Sequence, residues 1–271
     1  MQQEVLNMKG RGLSVGFVPT MGALHQGHLS LLERSVSEND ISICSIFVNP
    51  IQFNNKSDLE KYPRTFEDDC KLLSNADCDI VFAPSVKEMY PEESTSSYDF
   101  GLLEKLMEGK HRPGHFNGVA IVVKKLFDIC MPHKAYFGEK DFQQLMIIRE
   151  LVRKEKINVE VVGCPIIREA DGLAMSSRNV RLSPNERAIA PIIFNTLEWM
   201  KREAGEISVA SMLEKAKDRL GNHPEIEVEY IQLADENTLV SINNWNETEN
   251  IRAFIALFLG DVRLIDNIKI I

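Results

Sequence analysis

The sequence predicts an α/β fold in which a parallel sheet covered by helices is followed by a smaller α+β domain. Two observations support this prediction. Short apolar runs alternate with helical patterns along residues 13–163, and after about Arg168 two long helical patterns precede three strand-like segments. Strands separated by helices form parallel sheets through right-handed crossovers. We therefore expect a first domain over residues 1–168 and a second domain over residues 169–271.

Five short apolar segments are the predicted strands of the first domain. Such segments are typical of strands covered on both faces, and they span residues 13–18, 41–48, 79–82, 135–137 and 157–163. Helical patterns lie between them, at residues 28–36, 66–75, 118–130 and 141–155. Ligands in parallel sheets bind at the carboxyl ends of the strands, so the loops that follow the strands are the candidate functional loops.

The second domain is predicted from a change of pattern. Its helical patterns cover residues 184–204 and 209–220, and its strand-like segments cover residues 226–234, 253–259 and 262–271. Helices followed by neighbouring strands are typical of an α+β unit. Beyond residue 183 it contains no strong motif, so we expect this domain to support the fold, to close as a lid and to add little chemistry.

The composition excludes several classes of protein. Of 271 residues, 31 are Lys or Arg and 40 are Asp or Glu, and the formal charge of −9 disfavours non-specific binding to nucleic acid. No apolar window is long enough to span a bilayer or to act as a signal peptide. The five cysteines are scattered, which fits a reducing compartment. We therefore expect a cytoplasmic protein with no nucleic-acid or membrane partner, in which local cations hold any anionic ligand.

The loop after the first strand carries the first candidate site, in the sequence PTMGALHQGH at residues 19–28. Gly22 and Gly27 would let the backbone approach a ligand closely, and the helix that begins near His28 offers unpaired N–H groups to a phosphate. His25 and His28 are three residues apart, so both can face that phosphate. Two alternatives stay open: a loop with two hydrogen-bonded histidines, and half of a zinc site whose third ligand has no obvious motif.

Two further loops follow predicted strands. In GEKDFQQ, at residues 138–144, Lys140 lies near a helix start, where the helix dipole disfavours a cation unless an anion such as phosphate is bound. In FVNPIQF, at residues 47–53, Asn49 and Gln52 supply neutral donors and acceptors that suit hydroxyl and carboxylate groups. Each loop has a functional interpretation and a purely structural one.

Three polar segments also allow either interpretation. YPRTFEDD, at residues 62–69, places carboxylates in the first turn of a helix, where they complement the helix dipole. EGKHRPGHFNGV, at residues 108–119, is either a solvated basic loop or a loop that faces substrate. DGLAMSSRN, at residues 171–179, is either a capped linker or a mobile loop whose hydroxyl groups and arginine close on phosphates.

Taken in order, these segments resemble a known family. VPTMGALHQGH is similar to the HxGH signature of the nucleotidylyltransferase superfamily, a Rossmann-like group that attacks the α-phosphate of a nucleoside triphosphate. PTMGxLHxGH followed by FVNPxQF, YPRT, RPxHFxGV, FGxKDxQQ and MSSR resembles the pantothenate synthetase family. The resemblance covers residues 14–183. It implies a homodimer that condenses pantoate with β-alanine through a pantoyl adenylate, using ATP and Mg²⁺.

The resemblance also implies roles for individual residues. The expected catalytic residues are His25, His28, Lys140 and Arg178. ATP is expected to contact Pro19, Thr20, Met21, Gly22, His25, Gly27, His28, Gly138, Lys140, Asp141, Ile167, Met175, Ser176, Ser177 and Arg178. Pantoate and β-alanine are expected to contact Asn49, Gln52, Arg112, His115 and Gln144, and the local candidates for magnesium ligands are Asp68 and Asp69. The lysine, the two arginines and the three histidines of this set are expected to supply the local positive charge.

Two other functions fit the same segments. One is a nucleotidylyltransferase that joins a nucleotide to a phosphorylated acceptor and releases only pyrophosphate. The other is a nucleotide-sensing protein that has the same fold and no catalytic activity. Exchange of pyrophosphate into ATP, measured without β-alanine, distinguishes the three functions. The ligase requires pantoate for this exchange, the nucleotidylyltransferase requires a phosphate ester, and the nucleotide-sensing protein shows no exchange with any acceptor.

Overall fold

The computed structural model describes residues 1–92 and 96–271, and it confirms the predicted α/β class. One sheet has five parallel strands and the other has three antiparallel strands. The chain divides into two compact units, Met1–Pro165 and Ile166–Ile271. Each sheet belongs to one unit, so each unit has its own core.

The first unit is built on the parallel sheet, whose strands are ordered β3-β2-β1-β4-β5. They are β1 (Val15–Thr20), β2 (Ile41–Ile46), β3 (Ile80–Phe82), β4 (Lys134–Gly138) and β5 (Glu160–Cys164). The helices of this unit are α1 (Gln2–Gly10), α2 (Gln26–Glu38), α3 (Lys56–Glu60), α4 (Phe66–Asn75), α5 (Val86–Met89), α6 (Met107–His111), α7 (His115–Cys130) and α8 (Phe142–Glu155). All the strands and helices predicted for this unit are present, with ends shifted by a few residues.

The strand order creates a crevice at the centre of the sheet. From β1 the chain crosses to β2 on one side, and it later returns to pair β4 with the other side of β1. Parallel sheets bind ligands at such switch points, beyond the carboxyl ends of the strands. β1 ends at Thr20 and β4 ends at Gly138, so both candidate loops begin at this crevice.

Alternate side chains of β1 contribute to the cores on the two faces of the sheet. Phe17 is fully buried, and its ring meets the ring of Phe127 in α7 edge-on, with centroids 6.3 Å apart. Val18 belongs to the opposite core, together with Leu32 of α2 and Tyr136 of β4. This arrangement follows from strand geometry, in which successive side chains point to opposite faces.

Four short helices of the first unit were not predicted: α1, α3, α5 and α6. The longest, α1, has nine residues and buries only Val5, so an apolar period has too few positions to be recognised. Within residues 1–92 and 96–271, no helix has both the length and the apolar character needed to cross a bilayer.

The second unit contains the antiparallel sheet β6 (Ile226–Asp235), β7 (Ile251–Leu259) and β8 (Val262–Lys269), with helices α9 (Pro184–Ile189), α10 (Ile192–Arg202) and α11 (Val209–Gly221). The prediction of one helix over residues 184–204 is wrong, because the segment forms α9 and α10. Pro191 lies between them as the N-cap of α10. A proline inside a helix removes a backbone donor and clashes with the preceding turn, so two helices form instead of one.

Gly118 in the first turn of α7 allows that helix to approach the turn Pro50–Gln52 closely. A Cβ atom at this position would lie 2.8 Å from both the Gln52 Cα and the Ile51 carbonyl oxygen. We therefore expect Gly118→Ala to lower the free energy of unfolding by about 1–3 kcal/mol. Gly10→Ala is the matched control, because a Cβ atom there meets nothing within 4 Å. Urea unfolding measures both, and equal stability of the two variants would contradict the prediction.

Candidate active site

The turn after β1 is left-handed at two consecutive residues, Gly22 (φ 80°) and Ala23 (φ 50°). Glycine adopts this conformation readily, whereas alanine does so at a cost. Asp69 of α4 offsets the cost, because its Oδ2 accepts a hydrogen bond from Ala23 N at 3.0 Å and its Oδ1 accepts one from Leu24 N at 2.8 Å. Its side chain is only 1% exposed, so water does not compete for these bonds.

His25 and His28 cap the N-terminus of α2 together. The Nδ1 atom of His25 accepts a hydrogen bond from Gly27 N at 3.1 Å, and Nδ1 of His28 accepts one from His25 N at 3.3 Å. A neutral imidazole whose Nδ1 is an acceptor carries its proton on Nε2. The ring centroids are 4.1 Å apart, so two imidazoles that each carry an Nε2–H donor are neighbours at the start of the helix.

Burial and a neighbouring lysine keep both histidines neutral. Burial, strengthened by Lys140, lowers the pKa of His25 to about 4. Burial, His25 and Lys140 lower the pKa of His28 to about 3. Lys140 lies on the turn Glu139–Asp141 between β4 and α8, and its Nζ is 3.6 Å from the Asp141 carboxylate. The expectation that these histidines supply positive charge at neutral pH is therefore wrong, and Lys140 is the cation of this cluster.

Thr20, at the end of β1, supports the left-handed turn through a hydrogen bond with Gly22. Its Oγ1 donates to the Ser45 carbonyl at 2.7 Å and accepts from Gly22 N at 3.2 Å, and the residue is only 8% exposed. The hydroxyl is therefore used within the fold. The other residues of this unit that were expected to contact ATP lie at or just beyond the ends of β1 and β4, or at the start of α2: Pro19, Met21, Gly27, Gly138 and Asp141.

Asp68 and Asp69 do not form the predicted magnesium pair. Both oxygens of Asp69 accept backbone N–H groups, and Oδ1 also accepts from Thr65 Oγ1 at 3.2 Å. Asp68 is exposed and pairs with Lys71 at 2.9 Å. In the part of the chain that the structure describes, no three His, Cys, Asp or Glu side chains are grouped to hold a metal ion. The pair therefore does not fit a resident cation, because one carboxylate is already occupied and the other lies apart in solvent.

Among the residues expected to contact pantoate and β-alanine, Asn49 and His115 are hydrogen-bonded to Gln52. Asn49 is 1% exposed, and its Nδ2 donates to the Gln52 side-chain oxygen at 3.1 Å. His115 is 6% exposed, and its Nδ1 lies 2.8 Å from the Gln52 backbone carbonyl, to which it donates. Asn49 and His115 are buried and both hydrogen-bonded to Gln52, and their direct contact with substrate stays a prediction. They hold Gln52 in place.

The adjacent glutamines of α8 have different surroundings. Gln143 is 4% exposed, and its amide accepts from Glu108 N and donates to the carbonyls of Leu103 and Leu106. Gln144, the predicted pantoate residue, is half-buried. Arg112 also stays partly exposed, with its Nη1 3.6 Å from the Glu108 carboxylate. Gln144 therefore remains the candidate for ligand contact, while Gln143 fixes the α6 region.

Five predicted ATP contacts belong to the second unit: Ile167, Met175, Ser176, Ser177 and Arg178. The Ile167 carbonyl accepts from Met175 N at 3.0 Å, and Ser176 Oγ accepts from Arg178 N at 3.2 Å. Arg168 anchors the base of this turn through two bonds to Asp266, at 2.6 and 3.0 Å. The segment is therefore an ordered turn of the second unit, and its contacts with ATP stay predictions.

The sequence did not single out Tyr90, which donates from its hydroxyl to Asn49 Oδ1 at 2.8 Å. The two residues are 41 positions apart, and no motif spacing connects them. Asp69 was noticed as an acidic residue in a first helical turn, but its partners in the β1 turn had no signal in the sequence.

The anchoring role of Asp69 predicts a large difference between the two neighbouring aspartates. Asp69→Asn replaces one acceptor oxygen with an NH₂ group that faces a backbone N–H, so we expect a loss of about 1–3 kcal/mol in the free energy of unfolding. Asp68→Asn is the matched control and should change it by less than about 0.5 kcal/mol, because Asp68 makes an exposed ion pair. Urea unfolding of both variants measures the difference. Equal effects of the two substitutions would contradict the anchoring role of Asp69.

The buried histidines predict a loss of stability on acidification. Burial beside Arg112 lowers the pKa of His115 to about 4. Below about pH 6.5 the unfolded chain binds protons that the folded chain does not, so the free energy of unfolding falls until the folded histidine protonates near pH 4. Each such histidine contributes about 1.4 kcal/mol per pH unit in this window.

His115→Gln should therefore reduce the pH dependence of stability by about that amount between about pH 6 and about pH 5. Urea unfolding followed by circular dichroism at several pH values measures the slope. Parallel stability curves for the parent chain and the variant would show that His115 is protonated equally in the folded and unfolded states.

Comparisons with known proteins agree with the geometry. The family model described as Pantoate-beta-alanine ligase matches residues 1–269. The pantothenate synthetase of Bacteroides fragilis is 53% identical over 269 residues, covering 99% of this chain and 95% of the relative. That of Porphyromonas gingivalis is 51% identical over 265 residues, covering 98% of this chain and 94% of the relative.

Solved structures of the same enzyme have the same fold. The pantothenate synthetase of Thermus thermophilus superimposes with a TM-score of 0.92 at 45% identity, covering 98% of this chain and 97% of that chain. The ligase of Francisella tularensis, complexed with Beta-gamma ATP and Beta-alanine, gives a TM-score of 0.81 at 37% identity, covering 98% and 95%. The chain therefore belongs to the pantoate–β-alanine ligase family.

Proposed function

We propose that the chain joins pantoate to β-alanine at the crevice between β1 and β4, with ATP consumed through a pantoyl adenylate. The observation that carries this proposal is the cluster of His25, His28 and Lys140 at the switch point of the sheet, in a chain of the ligase family. The complex of the Francisella relative with Beta-gamma ATP and Beta-alanine supports two of the three substrates.

In the first step a carboxylate oxygen of pantoate attacks the α-phosphorus of ATP. The bond between that phosphorus and the bridging oxygen breaks, and pyrophosphate leaves with the bonding electrons. Pantoate is ionised at neutral pH, so this step requires no general base. The chain contributes positioning and charge stabilisation: Nε2–H groups of His25 and His28 donate to phosphate oxygens, and Lys140 offsets the charge that develops.

In the second step the unprotonated amine of β-alanine attacks the carbonyl carbon of the adenylate. The bond from that carbon to the phosphate oxygen breaks, AMP leaves, and the nitrogen loses a proton to form the amide. Gln52 and Gln144 are the proposed contacts with pantoate, and the partly exposed Arg112 is a further candidate. An acyl phosphate is also attacked by water, so excluding water from the crevice favours the amine.

Several finer features are proposals that rest on the resemblance to the family. Mg²⁺ would enter as the counterion of the ATP phosphates, since Asp68 and Asp69 do not form a site for it. Met175, Ser176, Ser177 and Arg178 would bind the leaving phosphates, and the second unit would act as a lid. A homodimer and a cytoplasmic location complete this set, and the five free cysteines fit a reducing compartment.

Replacing the cation of the cluster tests the mechanism. We expect Lys140→Gln to lower the rate of pantoate-dependent exchange of pyrophosphate into ATP, measured without β-alanine, by about 10²–10³-fold. Thermal unfolding should change little, because the ammonium group is partly exposed. Lys71→Gln, which removes an exposed lysine of α4, is the control and should keep the parent rate.

The same assay distinguishes the proposed ligase from its alternatives. Exchange that requires pantoate supports the ligase, whereas exchange that requires a phosphate ester supports a nucleotidylyltransferase. No exchange with any acceptor, combined with retained ATP binding, would indicate a nucleotide-binding protein. A parent rate in Lys140→Gln would contradict the proposed cluster while leaving the reaction itself intact.

A further inference from the structure

A series of side-chain hydrogen bonds connects Tyr90 to Gln52 through Asn49. The Tyr90 hydroxyl donates to Asn49 Oδ1 at 2.8 Å, and Asn49 Nδ2 donates to Gln52 Oε1 at 3.1 Å. Asn49 and Gln52 are 1% and 8% exposed, so water does not compete strongly with these bonds. This series of hydrogen bonds ends at Gln52, the residue that we expect to contact pantoate.

The orientation of the Asn49 amide follows from its backbone neighbours. The Gly118 carbonyl can only accept a hydrogen bond, and it lies 3.1 Å from Asn49 Nδ2. Ile51 N can only donate, and it lies 3.4 Å from Asn49 Oδ1. Turning the amide over would place oxygen against oxygen and nitrogen against nitrogen. The NH₂ group of Asn49 therefore points to Gln52, and the Gln52 oxygen must be the acceptor.

This arrangement determines which end of Gln52 is available to a ligand. Its oxygen is occupied by Asn49, and its Nε2 is 3.2 Å from the sulfur of Met21. A thioether sulfur is a weak acceptor, so a carboxylate or hydroxyl oxygen of a ligand would form a stronger bond with the same NH₂ group. Gln52 therefore recognises substrate as a donor.

We propose that Tyr90 is a positioning residue that acts through Asn49 and makes Gln52 present its NH₂ group to an oxygen atom of pantoate. The proposal rests on the proposed function, because it assigns the donor to that substrate. Tyr90 does not touch the substrate in this scheme. Its hydroxyl adds a bond to the amide that the Gly118 carbonyl and Ile51 N already orient, and so holds Asn49 more firmly in the position from which it donates to Gln52.

The surroundings of Tyr90 suit an anchoring role. Lys125 lies over its ring with Nζ 5.1 Å from the centroid, and the same Nζ donates to the Met89 carbonyl at 2.7 Å. The ring of Phe47 packs against it with centroids 6.1 Å apart. Burial raises the pKa of Tyr90 to about 12, so the phenol remains a donor throughout the neutral range.

Tyr90→Phe tests the proposal by removing only the hydroxyl. We expect the KM for pantoate in the pyrophosphate exchange to rise about 3–10-fold, as for the loss of one neutral hydrogen bond, while the KM for ATP stays within about twofold. Tyr136→Phe is the matched control, because its hydroxyl accepts from Asn39 at 2.7 Å and donates to Glu38 at 3.0 Å, and neither partner belongs to the hydrogen bonds that reach Gln52. It should lower thermal stability comparably and leave the KM for pantoate unchanged.

A double-mutant cycle separates a role through Gln52 from a general loss of stability. In a Gln52→Ala background, Tyr90→Phe should cause no further rise in the KM for pantoate, because the amide that it orients is gone.

Asn49→Asp is a second probe. Its carboxylate can only accept hydrogen bonds, so Gln52 must turn its NH₂ group toward it and its oxygen toward the ligand. That oxygen would repel a carboxylate, so the KM for pantoate should rise by more than about tenfold. Additive effects in the cycle, or an unchanged KM in Tyr90→Phe, would overturn the proposal.

Side-chain NH₂ signals in ¹⁵N–¹H spectra give a readout that does not require activity. Tyr90→Phe should shift the signals of both Asn49 and Gln52, and Tyr136→Phe should shift neither. If the parent chain exchanges no pyrophosphate in the presence of pantoate, the proposed function fails, and these spectra still decide whether Tyr90 orients Gln52. Unshifted Gln52 signals in Tyr90→Phe would overturn the positioning role.

Discussion

The left-handed turn at Gly22 and Ala23 is the constraint on which the candidate active site depends. It reverses the chain between the end of β1 and the start of α2, and it holds a non-glycine residue at positive φ. The carboxylate of Asp69 accepts the two backbone N–H groups of this turn, Ala23 N and Leu24 N. Through the turn, α4 determines where α2 begins, and so where His25 and His28 lie relative to Lys140.

Buried side chains also fix the position of Gln52, the residue proposed to contact pantoate. Gln52 is held by His115 at its backbone and by Asn49 at its side chain, and Asn49 is held in turn by Tyr90 and by the Gly118 carbonyl. Four of the conspicuous polar residues of the motifs therefore support neighbours: Thr20, Asn49, Asp69 and His115. Motif membership and ligand contact are different properties, because a precise loop needs as many buried anchors as exposed donors.

The sequence predicted the order of strands and helices well because the central strands of the first sheet are covered on both faces, which leaves short apolar runs at β1 and β2. It also located the two loops at the switch point, since both follow a strand and begin a helix. Burial at single positions was not predictable. Asn49 and Tyr90 are hydrogen-bonded although they are 41 positions apart in the sequence. Residues 184–204 form two helices because of Pro191, and the periodicity of apolar residues alone does not indicate this break.

In a chain of net charge −9, several local cations were expected to hold an anionic ligand. The cluster of His25, His28 and Lys140 is arranged differently. Several adjacent cations would have to be desolvated together, and their mutual repulsion would oppose folding. Among His25, His28 and Lys140, only Lys140 is charged at neutral pH, because burial, with a smaller contribution from the Lys140 charge, lowers the pKa of both histidines. Both Nδ1 atoms accept backbone N–H groups, so the neutral histidines carry their protons on Nε2. The unliganded fold thereby avoids the repulsion that His25, His28 and Lys140 would have as three positive groups.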